Sequence, residues 1–150
     1  MKDQISNTER TKLWVTNAVG FITAARLLLE LREAGEMFHW PAFYTNLGFA
    51  FEYSLKGYLA FKGWSDEKLR LEIGHNIEKA MSEAIQIGFK PHAPLVQDIV
   101  EVLGPLHKTN QTRYLNGAPI VTPVDHEQAC SCVWDHVQAV GSQLGVESWS

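Results

Sequence analysis

The sequence predicts an all-α fold, a bundle of about five helices with one long loop before the last. Three observations predict it. Apolar residues recur at three- and four-residue steps through most of the 150-residue chain. Glycine, proline or a capping residue stands at nearly every place where such a run begins or stops. No segment alternates with the period of two that a half-buried strand needs.

The first helix is expected from about Thr11 to Ala34, with Trp14, Ala18, Phe21, Ile22, Ala25, Leu28 and Leu29 on one face and Gly35 as its C-terminal stop. A second begins near Pro41, where proline suits a first turn, and runs to about Lys62 before Gly63. Its stripe is Leu47, Phe51, Leu55, Tyr58 and Leu59. Ser65 can cap a short helix through Arg70, with Asp66 and Glu67 in its first turn. Gly74-His75-Asn76 breaks the pattern, and Asn76 caps a third main helix whose inward residues are Ile77, Ala80, Met81, Ala84 and Ile85.

A fourth main helix uses Leu95, Val96, Ile99, Val100, Leu103 and Leu106, and Gly104-Pro105 should kink or end it. Thr109 to Thr122 reads as a long polar loop containing the turn dipeptide Asn116-Gly117. Thr122-Pro123-Val124-Asp125 then opens the last helix, with Ala129, Val133, Val137, Val140 and Leu144 facing the core. No repeat or linker divides the chain, so one domain over residues 1–150 is expected, its core from about 11 to 145.

Composition narrows the function. The chain is 45% hydrophobic and 20% charged, as in an ordinary globular protein. A net charge of −4 disfavours broad, non-specific nucleic-acid binding and leaves room for a local cationic pocket. The polar start Met1-Lys2-Asp3-Gln4 reads as no signal peptide. The most apolar stretch, Phe21 to Leu31, is interrupted by Arg26 and Glu30 and is too short to span a bilayer. Cys130 and Cys132, two apart on a helix, point about 200° from each other and do not bond together. A reduced, cytoplasmic protein away from membranes is the expectation.

The most informative segment is Phe51-Glu52-Tyr53-Ser54-Leu55-Lys56-Gly57-Tyr58-Leu59. Glu52 and Lys56 stand four apart in the favourable order for a helical ion pair, flanking the apolar stripe at the rim of a helix–helix groove. On spacing alone they read as a surface pair worth about 0.5 kcal/mol or less. After the glycine-terminated turn comes Gly74-His75-Asn76-Ile77, and the long loop carries Arg113-Tyr114.

In that order, these three motifs resemble HEPN domains (higher eukaryotes and prokaryotes nucleotide-binding). The apolar helix with Glu-x-x-x-Lys resembles that family's second helix, Gly74-His75-Asn76-Ile77 is similar to its His-Asp-Leu turn, and Arg113-Tyr114 matches its late Arg-Tyr pair. The likeness spans about Thr11 to Val140. It departs at Asn76, where the family has Asp, and at Leu115, where proline commonly follows Arg-Tyr.

The resemblance implies an up-and-down helical bundle that pairs into homodimers, with a groove for a nucleotide or a partner protein, in a toxin–antitoxin module or beside a nucleotidyltransferase partner. Glu52, Lys56, His75, Arg113 and Tyr114 are then the ligand-binding candidates, a cationic cluster with an aromatic suited to a nucleotide or RNA phosphate. Some members are metal-independent ribonucleases with four to six residues between an Arg and a His. Here Arg70 with His75, and Arg32 with His39, have that spacing, and neither lies late in the chain. His75 and Arg70 are therefore the catalytic candidates under a ribonuclease reading. Under a third reading every polar motif serves packing in a structural or regulatory bundle.

No metal or other cofactor is expected. On the last helix, His126 with Cys130 and Cys132 with His136 form pairs on nearly opposite faces, which one tetrahedral ion cannot join. His39-Trp40-Pro41 and Phe43-Tyr44 read as a packed helix start or part of a dimer surface, and Trp149 could join the latter.

Overall fold

A computed structural model describes residues 6–109 and 125–145. The described residues form an all-α bundle: α1 (Asn7–Glu33), α2 (Trp40–Phe61), a short α3 (Asp66–Lys68) that runs into a π-turn (Leu69–Ile73), α4 (Ile77–Gln86), α5 (Leu95–Lys108) and α6 (His126–Gln143). The Arg113-Tyr114 pair, Asn116-Gly117, Thr122-Pro123 and Trp149 lie outside the described residues.

α1 starts four residues earlier than expected. Ser6 accepts from the Glu9 backbone N–H and Glu9 answers onto the Ser6 N–H, a reciprocal cap that extends the helix into its polar lead. Arg10 then ties α1 to the turn after α2, through Asp66 at 2.7 Å and the Trp64 carbonyl at 2.8 Å. The 27-residue helix is, by length and composition, long and apolar enough to cross a membrane, whereas its most apolar part, Phe21 to Leu31, is by itself too short. In this fold Val15, Ala18, Ile22, Ala25 and Leu29 are buried, and α1 packs on α2 and α6. Leu13, Leu27 and Leu31 face outward.

α2 is the centre of the bundle, touching α1, α4, α5 and α6. Its N-cap is His39, whose ring nitrogen accepts from the Ala42 N–H at 3.1 Å. From Leu47 to Ala60 nearly every side chain is buried, including Glu52, Ser54 and Lys56. A helix surrounded on all sides has no solvent face for its polar residues. The close approach of α1 is set by Gly57, where a Cβ would fall 2.8 Å from Val15 Cγ2.

Gly74 closes the π-turn by donating its N–H to the Leu69 carbonyl at 3.0 Å, in a positive-φ conformation (φ 54°) that suits glycine. Asn76 caps α4 as predicted, accepting from the Lys79 N–H at 3.0 Å. Ile77, Ala80, Met81 and Ala84 face the core, whereas Ile85, expected inside, is exposed. The loop after α4 is pinned to the end of α6 by Gln143, which bonds both the N–H and the carbonyl of Lys90.

α5 does not end at Gly104-Pro105. It continues through Pro105 to Lys108. Pro105 is exposed, so the carbonyl its ring leaves without a partner, on exposed Glu101, can be met by water. Asp125, rather than Thr122, is the N-cap of α6, accepting from the Glu127 N–H at 3.1 Å. Both cysteines are free and buried. Burial pushes each thiol up to about 11, which keeps both in the unreactive protonated form.

Candidate functional site

The bundle's strongest concentration of polar chemistry surrounds Glu52. It sits in the middle of α2 and is 1% exposed, the only fully buried carboxylate among the described residues. Lys56, one turn later on the same helix, is 6% exposed. His75 comes from the turn between the π-turn and α4, and His107 from the last turn of α5. Three elements thus bring four ionisable side chains to one point.

Glu52 Oε2 accepts from Lys56 Nζ at 3.1 Å. Glu52 Oε1 accepts from His75 Nδ1 at 2.7 Å and from His107 Nε2 at 2.9 Å, each ring nitrogen carrying its proton there. Burial by itself raises the Glu52 pKa. The His107 hydrogen bond, the Lys56 charge and the His75 hydrogen bond outweigh that, holding it below the ordinary carboxylate value. Glu52 is therefore ionised and saturated by donors. The Lys56 ammonium also lies 5.4 Å from the Trp14 ring centre, where the aromatic face offers a second stabilising contact.

The two histidines are not equivalent. His107 is 2% exposed, with Phe49 edge-on to its ring at 4.8 Å and its Nδ1 buried without a partner. The His75 side chain is 47% exposed. His75 is thus where solvent reaches the cluster. With Nδ1 donated to Glu52, Nε2 is the ring's remaining hydrogen-bonding atom.

The expectation that Glu52 and Lys56 form a rim pair is corrected: both are buried, because α2 is enclosed by four neighbours. The structure joins Glu52, Lys56 and His75 as one network, and Arg113 and Tyr114 lie outside the described residues. Arg70 is exposed on the π-turn, with no hydrogen bond or ion pair to His75.

His107 was missed in the sequence. It continues the stripe Val96, Ile99, Val100, Leu103 by one more four-residue step, where the apolar Leu106, three on from Leu103, was the expected inward residue. Gly104 instead serves close packing, since a Cβ there would fall 2.6 Å from Glu78 Cγ.

Gly48 has the same role beside the site. A Cβ at Gly48 would lie 2.8 Å from His107 Cγ, inside a contact both helices bury. Gly48→Ala is expected to cost about 1–3 kcal/mol of stability as an overpacked core position. It should also move the His107 ring resonances, which the same substitution at exposed Gly20, with open space around it, should leave unchanged.

The two α6 histidines weighed as metal ligands have other partners. His126 bonds Tyr44, and His136 Nε2 lies 3.1 Å from Ser54 Oγ. Ser54 also donates to the Phe51 carbonyl, so the His136 nitrogen is the donor in that pair. The Phe43-Tyr44 segment packs with Phe38 and His126 as an aromatic helix start. Comparison of the chain with protein families, curated proteins and solved structures returns no match.

Proposed function

We propose that the chain is a HEPN-like domain that binds a nucleotide or an RNA phosphate at the mouth of the Glu52 cluster, with His75 as the contacting group. The observation that carries the reading is the 2.7 Å bond from His75 Nδ1 to buried Glu52, which fixes the ring's tautomer while its side chain stays 47% exposed. An imidazole held this way presents Nε2 to a ligand at little ordering cost. The motif order Glu52-x-x-x-Lys56, Gly74-His75-Asn76 and Arg113-Tyr114 supports the family reading. With that reading come a cytoplasmic homodimer, a nucleotidyltransferase partner and a place in a toxin–antitoxin type of module.

Lys56 enters this function indirectly. Its ammonium is committed to Glu52, so it keeps the carboxylate charged rather than meeting phosphate itself. Arg70, exposed on the neighbouring π-turn, and Arg113 are the guanidinium candidates for that contact.

The experiment is thermal unfolding with nucleoside mono- and triphosphates or a short RNA. At tenfold excess over the dissociation constant, a ligand adds about 1.4 kcal/mol, or about 3–6 °C for a domain of this size. The shift is expected in the wild type and lost in His75→Ala. No shift at millimolar ligand overturns the reading.

A second reading, metal-independent RNA cleavage, is favoured by the same geometry, because a carboxylate-held imidazole can accept a proton at Nε2. Here His75 is the base and Arg70 or Arg113 holds the phosphate. Equal cleavage by wild type and His75→Ala sinks that assignment.

A further inference from the structure

The geometry points to a divalent metal site formed by Glu52 Oε1, His75 Nδ1 and His107 Nε2, with zinc as the ion that best fits the donors. These are the one set of three His, Cys, Asp or Glu ligand atoms among the described residues placed to share an ion, all within 4.8 Å of one another. The inference does not depend on the nucleotide-binding reading, and it departs from the metal-independent chemistry of the family the chain resembles.

Two imidazoles and one carboxylate are the ligand types of a borderline ion and are poorly matched to magnesium or calcium, which take oxygen. In a tetrahedral site with bonds of about 2.0–2.1 Å, neighbouring ligand atoms stand about 3.3 Å apart. Here the two nitrogens lie 2.7 and 2.9 Å from Oε1, so each must open by about half an ångström. His75 can provide the movement, since it stands half-exposed on a turn. Glu52 and His107 are buried on helices, and the 2.9 Å edge they share needs the smaller opening of the two.

The exchange of protons is balanced. Both ring nitrogens that face Glu52 now carry hydrogen, and both must offer lone pairs to an ion. Each neutral imidazole does so by moving its proton to the other nitrogen: to Nε2 of His75, toward solvent, and to Nδ1 of His107. That His107 nitrogen has no partner now, so it is unsatisfied in either form and does not decide between them. Lys56 remains on Oε2, making Glu52 a one-oxygen ligand. Its charge opposes the ion, and the loaded cluster would carry a net positive charge. Three protein ligands leave the fourth position for water or an anionic oxygen on the His75 side.

The test is titration of chelator-treated protein with Zn²⁺ and Co²⁺. Expected are one saturable ion per chain, a rise in melting temperature, and the visible absorption of tetrahedral cobalt without a sulfur-to-metal charge-transfer band. Nitrogen-detected NMR should show His107 exchanging Nε2–H for Nδ1–H. His75→Ala removes a solvent-side ligand without unpairing the buried ammonium, so it should fold and lose the cobalt spectrum. Cys130→Ser with Cys132→Ser should keep it. A thiolate band, equal binding by His75→Ala, or no saturable binding at micromolar ion overturns the site. Nucleotide stabilisation measured in excess chelator reports separately on the ligand-binding reading.

Discussion

Replacing Glu52 by alanine is expected to lower the unfolding free energy by about 3–5 kcal/mol, the cost of leaving one member of a buried ion pair alone. For a domain of this size that is a fall of roughly 10 °C or more in melting temperature. The size of the effect follows from what Glu52 holds. Without its carboxylate the Lys56 ammonium keeps only the Trp14 face, and the Nε2–H of His107 loses its acceptor inside the core. An ordinary exposed i,i+4 pair such as Lys68 with Glu72 should cost no more than about 0.5 kcal/mol on the same treatment. Adding Lys56→Met to Glu52→Ala removes the stranded charge and should recover part of the loss. A double variant no more stable than Glu52→Ala would show that Lys56 is not the buried, charged partner described above. Calorimetry or urea unfolding of the three variants decides it.

That contrast also marks where the sequence stopped being informative. Spacing is a one-dimensional signal. It showed that Glu52 and Lys56 share a helix face, and the same spacing fits a solvated pair and a buried one. Burial depends on how many helices surround α2, and four do. The helix boundaries were more legible because their causes are local: Asn76 caps α4, and Gly35, Gly63 and Gly88 follow helix ends in positive-φ conformations. The one boundary expected inside α5 was wrong for a non-local reason. Gly104 reads as a breaker, and its missing side chain is what lets Glu78 of α4 pack there. The helix therefore runs on by one turn and carries His107 into the core. A polar residue in step with an apolar stripe was the available signal. Nothing local could show that its partner lies 55 residues earlier on α2.

Acid should destabilise the fold well above the range in which carboxylates titrate, because of His136. This ring is fully buried between α6 and α2, its Nε2 bonded to Ser54 and its Nδ1 without a partner. Burial, with a smaller push from His92, takes its pKa down from the ordinary 6.5 to about 3. Between those values the unfolded chain binds a proton that the native ring does not, so lowering the pH favours unfolding. Stability is full above about pH 6.5 and falls by about 1.4 kcal/mol per pH unit below it, about 2 kcal/mol by pH 5. His126, whose pKa is lowered first by burial and then by Arg32, adds in the same direction. Glu52 acts later: its depressed pKa contributes stability above about pH 4.5 that is lost only as the pH drops through its native value. Unfolding free energies from pH 7.5 to 5 therefore report His136 and His126 before the Glu52 carboxylate titrates. His136→Phe removes one titrating ring and keeps its contact with Phe51 and Phe89, so its pH profile should be flatter by one proton than that of the wild type. An unchanged slope would mean that His136 takes up its proton in the native state, and the neutral, Ser54-bonded ring described above would then be wrong.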